Sequence, residues 1–183
     1  MKTNKLIIAT ICLLAGNIIF SQKLMTRKGE VKFEASMAAF EEIAGTNNTA
    51  SCILDESTAD FAALVLIKAF KFKSPLMEEH FNENYMESSK FPKASFKGKI
   101  AGFDVKKLSV TKSTYDLEGD ITIHGVTKKI KTKLNLSQNG DKIIATSVIF
   151  VKPQDYKIEI PNLVKDKIAE NVKISMSFTL EAN

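Results

Sequence analysis

The chain has 183 residues, of which 44% are hydrophobic and 26% are charged. This balance is that of a globular protein and excludes a largely disordered chain, and the length suits one domain with a substantial core. The formal net charge of +5 is a weak basic excess, which does not by itself indicate binding to nucleic acid or to an anionic membrane.

The first 21 residues have the pattern of a secretory signal peptide. Lys2 and Lys5 precede an apolar run over residues 6–20, which ends at the small residue Ser21. We expect cleavage after Ser21; a membrane anchor is less favoured, because the run is short and Asn17 interrupts it. The mature domain then spans residues 22–183, with a net charge near +3 because only two lysines are removed. We expect it to be soluble, periplasmic or secreted, and without a stable membrane anchor.

Cys52 is the one cysteine that remains after this cleavage, since Cys12 lies in the signal peptide. No intramolecular disulfide can then form, despite the oxidising destination. A buried, inert thiol is the preferred interpretation, and a reactive or dimer-forming thiol is the alternative. A homodimer therefore stays open.

Most of the mature chain alternates between apolar and polar residues, which is the pattern of half-buried β-strands. In the last strand, for example, Val172, Ile174 and Met176 point to one side. Residues 45–48 (GTNN) predict a turn, and Asn139-Gly140 predicts a hairpin. The predicted strands cover residues 31–37, 52–54, 61–72, 96–103, 117–123, 130–136, 143–151 and 172–181.

One short helix interrupts the strands. Ser74 and Pro75 suit an N-cap and a first helical position. Met77, Phe81 and Tyr85 are four residues apart, so they share one apolar face, with Met86 beside it. The sequence therefore predicts a helix that begins at residue 75, between a strand that ends at residue 72 and one that leaves near residue 91.

Eight or nine strands, mostly joined by short turns, predict an all-β fold. Antiparallel strands in this number close most economically into a barrel, because closure removes the exposed edges. An eight-stranded barrel is either filled by side chains or able to hold one small ligand. The sequence leaves both arrangements open.

The sequence contains no recognisable catalytic or metal-binding motif. The G-x-S-x-G, P-loop and G-x-G-x-x-G patterns are absent, and neither His80 nor His124 has a second histidine or cysteine at metal-ligand spacing. We predict a solvent-exposed turn residue for His124, and for His80 either a hydrogen bond to the backbone or contact with a ligand. Lys129, Lys131 and Lys133 point outward without interleaved aromatic residues, so a nucleic-acid platform is not expected. We expect no enzyme activity, metal or cofactor.

Aromatic residues concentrate around the predicted helix. Core packing explains each of them singly, but together they could line an elongated apolar cavity, in which each buried methylene of a chain ligand contributes about 0.8 kcal/mol. The candidate cavity residues are Phe33, Phe70, Phe72, Met77, His80, Phe81, Tyr85, Phe91, Phe96, Ile121 and Ile123.

Two segments resemble the signatures of the YceI-like family. The first comprises His80-Phe81, Tyr85-Met86-Glu87 and Lys90-Phe91-Pro92, with Phe96 beyond; the second is residues 119–128 (GDITIHGVTK), a strand that ends in Gly-Val-Thr-Lys. The resemblance covers residues 30–181. It implies a lipocalin-like antiparallel barrel, commonly exported, that holds a polyisoprenoid or another long amphiphile along its axis and is not an enzyme. It also implies that His80, Tyr85, Phe91 and Phe96 lie near the cavity mouth.

We therefore expect an exported protein that carries or sequesters a long-chain apolar small molecule, such as an isoprenoid or a fatty-acyl compound. The alternative is an exported structural or interaction module whose filled barrel binds a protein partner. A continuous hollow inside the barrel would favour the first hypothesis, and a packed interior with an exposed apolar patch would favour the second.

Overall fold

The computed structural model describes residues 23–37 and 41–182, and the predicted signal peptide lies outside these residues. Eight antiparallel strands form one closed barrel, in which each strand pairs with the next and β8 pairs with β1. The predicted all-β barrel of about eight strands is confirmed. The strands are β1 (Lys23–Ser36), β2 (Ala44–Asp55), β3 (Asp60–Leu66), β4 (Lys93–Ile100), β5 (Ser113–Ile123), β6 (Val126–Asn139), β7 (Lys142–Val151) and β8 (Ile168–Ala182).

The predicted short helix, α1 (Pro75–His80), continues into a wider π-helical turn (Phe81–Tyr85). Pro75 begins the helix as predicted, but the side chain of Ser74 does not cap it. Instead, the backbone carbonyl of Ser74 accepts the amide of Glu78 at 3.1 Å. Short 3₁₀ turns occupy Ile67–Ala69, Val105–Lys107, Pro153–Tyr156 and Asn162–Lys167.

Alternation along the strands decides which side chains face the interior. On β5, Leu117, Ile121 and Ile123 are buried, whereas the intervening acidic residues are exposed. On β6 the three outward lysines are exposed, and Lys131 pairs with Glu118 of β5 at 3.0 Å. The outward direction predicted for Lys129, Lys131 and Lys133 is therefore confirmed.

The barrel has a packed end and an open end. Because neighbouring strands run in opposite directions, the β2–β3, β4–β5 and β6–β7 loops meet at the packed end. The other loops, including α1 and the long β7–β8 connection, meet at the open end. Near the packed end the interior is filled by almost fully buried side chains: Leu54, Phe61, Ile100, Leu117, Leu134, Leu136, Ile143, Phe178 and Leu180.

Residues 45–48 belong to β2, so the turn predicted there is wrong. A Cβ atom at Gly45 would lie 2.6 Å from a ring carbon of Phe33 and 2.9 Å from one of Phe72, so the glycine makes room for two aromatic rings. Asn47 is completely buried; its Nδ2 donates to the carbonyl of Leu66 at 2.9 Å, and its Oδ1 accepts the amide of Thr49 at 2.8 Å. These residue types are explained by packing and buried hydrogen bonds, and not by a turn.

Residues 70–72 do not extend the strand that starts at residue 60. β3 ends at Leu66, and Lys71 forms only an isolated bridge with Thr46, through backbone hydrogen bonds of 2.8 and 3.0 Å. β4 spans Lys93–Ile100, so it begins and ends three residues earlier than the strand predicted over residues 96–103. Gly102, which has a φ of +65°, lies in the loop that follows. Ile67, Phe70 and Phe72 of the segment that follows β3 line the space at the open end of the barrel.

Candidate ligand-binding cavity

A cavity of about 590 Å³ occupies the open half of the barrel. Its size lies within the range of small-molecule binding sites. Six strands contribute wall residues, and nearly all of these are apolar. The wall residues include Val31, Phe33, Ala63, Val65, Phe96, Ile121, Ile123, Ile149, Val151, Val172, Ile174, Met176 and Phe178.

Four phenylalanine rings hold the helical segment over one side of this cavity. Phe33 of β1 stacks on Phe81, with ring centroids 5.0 Å apart and planes at 14°, and meets Phe70 and Phe72 edge-on at 5.6 and 5.5 Å. Phe81 also contacts Phe70 and Phe72 at 5.6 and 5.0 Å. Each such pair contributes about 0.5–1.5 kcal/mol beyond its area burial. These contacts fix the segment after β3 and the end of α1 against the barrel wall.

The π-helical turn after α1 brings Met86 into register with Phe81. The amide of Met86 donates to the carbonyl of Phe81, five residues earlier, at 2.8 Å. One residue is thereby inserted relative to an α-helix, which is a frequent feature of functional sites. As a result Met77, Phe81, Tyr85 and Met86 all line the cavity.

The β7–β8 connection supplies another part of the wall. Pro153, Tyr156, Ile158 and Ile160 from this segment line the cavity. Burial, with a smaller effect of the Asp155 charge, raises the pKa of the Tyr156 phenol. The phenol therefore stays protonated at neutral pH and keeps its O–H donor.

Polar side chains lie at the mouth of the cavity. His80, Glu41 and Lys167 line it while remaining exposed, and Tyr85 is half-buried. The interior is apolar, so the site combines a dry chamber with a polar entrance. Such an arrangement suits a molecule with an apolar chain and a polar head.

His124 is buried, so the predicted solvent-exposed turn residue is wrong. Its Nδ1 lies 3.0 Å from the carbonyl oxygen of Tyr156, and its Nε2 lies 2.9 Å from Oε2 of Glu87. The backbone has a φ of +50° at His124 and +73° at Gly125, which makes the tight turn between β5 and β6. The histidine therefore links this turn to the segment after α1 and to the β7–β8 connection.

Ten of the eleven candidate residues line the cavity: Phe33, Phe70, Phe72, Met77, His80, Phe81, Tyr85, Phe96, Ile121 and Ile123. Phe91 is the exception, since it is not among the wall residues. Its ring packs edge-on against His124, with centroids 4.4 Å apart, and close to Gly125. Phe91 therefore supports the β5–β6 turn and is not part of the cavity wall.

The candidate set omitted most of the wall contributed by the last two strands. Ile149 of β7 and Ile174, Met176 and Phe178 of β8 all line the cavity. The alternation of these strands placed the β8 residues on one side, but alternation does not distinguish the hollow half of a barrel from the packed half. No pattern in the sequence around Tyr156 indicated that this residue would line the cavity.

Residues 23–37 and 41–182 contain no group of three or more histidine, cysteine, aspartate or glutamate side chains arranged to hold a metal ion. Within the same residues, no helix is both long enough and apolar enough to cross a membrane.

A family model described as the YceI-like domain matches residues 23–180. The chain belongs to the YceI-like family. The family resemblance of the two sequence signatures is thus confirmed. No curated protein matches the sequence.

Solved structures with the same fold include other YceI-like proteins. A polyisoprenoid-binding domain from Saccharophagus degradans, implicated in plant cell wall breakdown, is 16% identical with a TM-score of 0.77, over 88% of this chain and 99% of that chain. BcnA from Burkholderia cenocepacia is 16% identical with a TM-score of 0.68, over 85% and 97% of the two chains. The YceI protein of Campylobacter jejuni is 16% identical with a TM-score of 0.58, over 76% and 86%. At such identities the likeness is one of fold.

Proposed function

We propose that this YceI-like protein is an exported lipid-binding protein that holds a polyisoprenoid or another long-chain amphiphile in its barrel, for carriage or sequestration. The observation that carries the proposal is the apolar cavity of about 590 Å³ in the open half of the barrel. The similar fold of the polyisoprenoid-binding domain from Saccharophagus degradans supports this proposal. The proposed activity is binding without catalysis.

The chemistry of the wall favours a chain over a compact polar ligand. Each methylene that moves from water into the cavity contributes about 0.8 kcal/mol, so a chain of ten or more carbons gains enough to exceed the cost of association. His80, Tyr85 and Lys167 at the mouth offer hydrogen bonds and a positive charge to a polar head. The alternative hypothesis, a filled barrel that binds a protein partner, requires a packed interior. The cavity in the open half of the barrel does not fit that requirement.

The first test is native mass spectrometry of the mature protein purified without detergent, followed by organic extraction. The expected result is an additional mass of a few hundred daltons, released as a prenyl or fatty-acyl compound. A mass without ligand, with no gain after incubation with isoprenoids or fatty acids, would count decisively against lipid binding.

A pair of neighbouring substitutions makes the test specific to the cavity. Ala63 lines the cavity, whereas Ala62, on the same strand, is not among the wall residues. Ala63→Phe should reduce the retained lipid strongly because its ring occupies the ligand space, and Ala62→Phe should leave it unchanged. Equal loss in both variants would indicate a general defect and not a filled cavity.

Export is the second part of the proposal. Residues 1–21 have the composition of a signal peptide, and we propose cleavage after Ser21 with release into the periplasm or the medium. Expression of the full chain in a bacterium, followed by fractionation and N-terminal sequencing, should yield an exported protein that begins at Gln22. An uncleaved chain that remains in the cytoplasm would contradict this part alone.

A further inference from the structure

The cavity ends at one level, about midway along the barrel. On β8, Phe178 lines the cavity, whereas Leu180, the next inward residue, is buried in the packed core. On β3, Ala63 lines the cavity, and Phe61, two residues nearer the packed end, belongs to the core. On β5 the same change occurs between Ile121 and Leu117. On three strands, therefore, the cavity wall gives way to the packed core in the direction of the packed end.

Three aromatic rings form this floor. Phe61 lies centrally, with its centroid 6.2 Å from that of Phe178 and 6.3 Å from that of Phe96. Phe61 and Phe178 are each only 1% exposed. Since rings packed in this way leave little space between them, the floor separates the cavity from the packed half.

A glycine determines where the ring of Phe178 can lie. A Cβ atom at Gly29 of β1 would be 2.2 Å from Cδ1 and 2.5 Å from Cε1 of Phe178. The pairing of β1 with β8 shifts register between Met25 and Glu30, at this position. The ring of Phe178 therefore rests directly on the backbone of β1, and any larger residue at position 29 would displace it.

We propose that this floor sets an upper limit on the enclosed chain, so that affinity rises with tail length up to about 16–20 carbons and longer polyprenyl chains gain nothing further. This inference rests on the proposed lipid-binding function. A volume of about 590 Å³, at about 30 Å³ for each water-sized heavy atom, holds roughly 20 heavy atoms. Carbons beyond that number remain outside the mouth, where they gain no burial. Phe178 and Gly29 are then the residues that determine chain length.

The test is the dependence of affinity on chain length. A series of saturated fatty acids and a series of prenols, from about 10 to about 40 carbons, are titrated into delipidated protein by displacement of a polarity-sensitive fluorescent fatty acid. The dissociation constant should fall about fourfold with each added methylene up to about 16–20 carbons, and stay constant thereafter. A continued gain to the longest chains would overturn the length limit and leave lipid binding intact. Failure of every chain to bind would overturn the proposed function itself.

Variants locate the limit at Phe178. Phe178→Ala removes the ring, so affinity should go on rising to chains several carbons longer before it reaches its plateau. Phe178→Leu should shift this plateau in the same direction by less, and it keeps the core better filled. Gly29→Ala displaces the ring of Phe178 and should change the chain length at which affinity stops rising. Phe150→Ala is the matched control, because Phe150 is 65% exposed and outside the cavity. In this variant, affinity should stop rising at the same chain length as in the parent protein. An unchanged plateau in a folded Phe178→Leu protein would refute the role of the floor.

Discussion

At the tip of the β5–β6 hairpin, the ring of His124 joins parts of the chain that are 32 and 37 residues away in sequence. The carbonyl oxygen of Tyr156 lies 3.0 Å from Nδ1 of the ring, and Oε2 of Glu87 lies 2.9 Å from Nε2. Phe91 covers one side of this ring. A single buried side chain thus holds together two segments that frame the cavity.

Removal of the His124 side chain should destabilise the protein by about 1–3 kcal/mol, because the carbonyl of the buried Tyr156 loses its hydrogen-bond partner. His124→Ala isolates this loss, since alanine keeps the strained φ of +50° that the histidine already has; His124→Gly should be less destabilised because glycine relieves that strain. Urea denaturation of the three proteins measures the difference. If His124→Ala were as stable as the parent, the side chain of His124 would contribute nothing to stability.

Cys52 should not react in the folded protein. Its side chain is only 1% exposed, and burial raises the pKa of its thiol far above the ordinary value of 9.0, so the reactive thiolate is almost absent at neutral pH. Labelling of the mature chain with a maleimide should therefore be slow until urea unfolds the barrel. Val110→Cys, at a position that is 80% exposed, is the control that should react at once. Rapid labelling of the folded parent protein would show that Cys52 is accessible.

Among the elements, β1 and β8 form the seam that closes the barrel. Glu34 of β1 accepts hydrogen bonds from Lys173 of β8 at 2.9 Å and from Lys32 of its own strand at 3.2 Å. Together these bonds, that from Lys173 first, lower the pKa of Glu34 below its ordinary value of 4.5. A carboxylate with a lowered pKa stabilises the fold only while it is ionised.

Glu34→Gln should therefore lower the free energy of unfolding at pH 7 by about 0.5 kcal/mol, as expected for a partly exposed ion pair. This difference from the parent should be constant above about pH 4.5 and disappear as the pH falls through the lower pKa of the folded state. Chemical denaturation from pH 3 to pH 7 measures it. Glu30→Gln, at an exposed position of the same strand, is the control and should keep the stability of the parent at pH 7. A difference that grew towards low pH would contradict the assigned role.

The helical segment shows how tertiary contacts decide an element's position. α1 itself has only six residues and no fully buried side chain, so its own hydrogen bonds do not hold it in place. Phe81, at the start of the π-helical turn, contacts Phe33, Phe70 and Phe72. Without these rings, a six-residue helix would have no fixed orientation over the cavity.

For the whole molecule, the two halves of the barrel have different roles. The packed half contains the most deeply buried side chains, from Leu54 to Leu180, and it supplies most of the apolar burial that favours folding. The open half leaves a cavity whose wall residues lack neighbours on one side. The packed core and the cavity are therefore separated along the barrel axis.

Delipidated protein should consequently remain folded, and added lipid should raise its stability. One bound ligand at about 100 times its dissociation constant adds about 2.7 kcal/mol. Thermal unfolding with and without a fatty acid, followed by far-UV circular dichroism, measures both states. A barrel that unfolds when its lipid is extracted would mean that the packed half cannot sustain the fold alone.

The sequence predicted the barrel, the direction of most strand faces and ten of the eleven candidate residues that line the cavity. It did so because side-chain alternation and the four-residue spacing of Met77, Phe81 and Tyr85 are local properties of the chain. The errors have a common cause. Gly45, Asn47 and His124 look like turn or surface residues, and each is explained by a partner distant in sequence: aromatic rings for Gly45, the Leu66 carbonyl for Asn47, and Glu87 with Tyr156 for His124.

What the sequence alone determined was the element types and the family, since these follow from local periodicity and from two short signatures. Whether the barrel is filled or hollow was decided only by the tertiary structure. The same alternating apolar residues occur in both halves, and the difference depends on which side chains meet across the barrel. Phe61, Phe96 and Phe178 meet there above the packed half, and residues 67–92 with the β7–β8 connection enclose the space beyond them. Contacts between such distant residues arise only when the eight strands close.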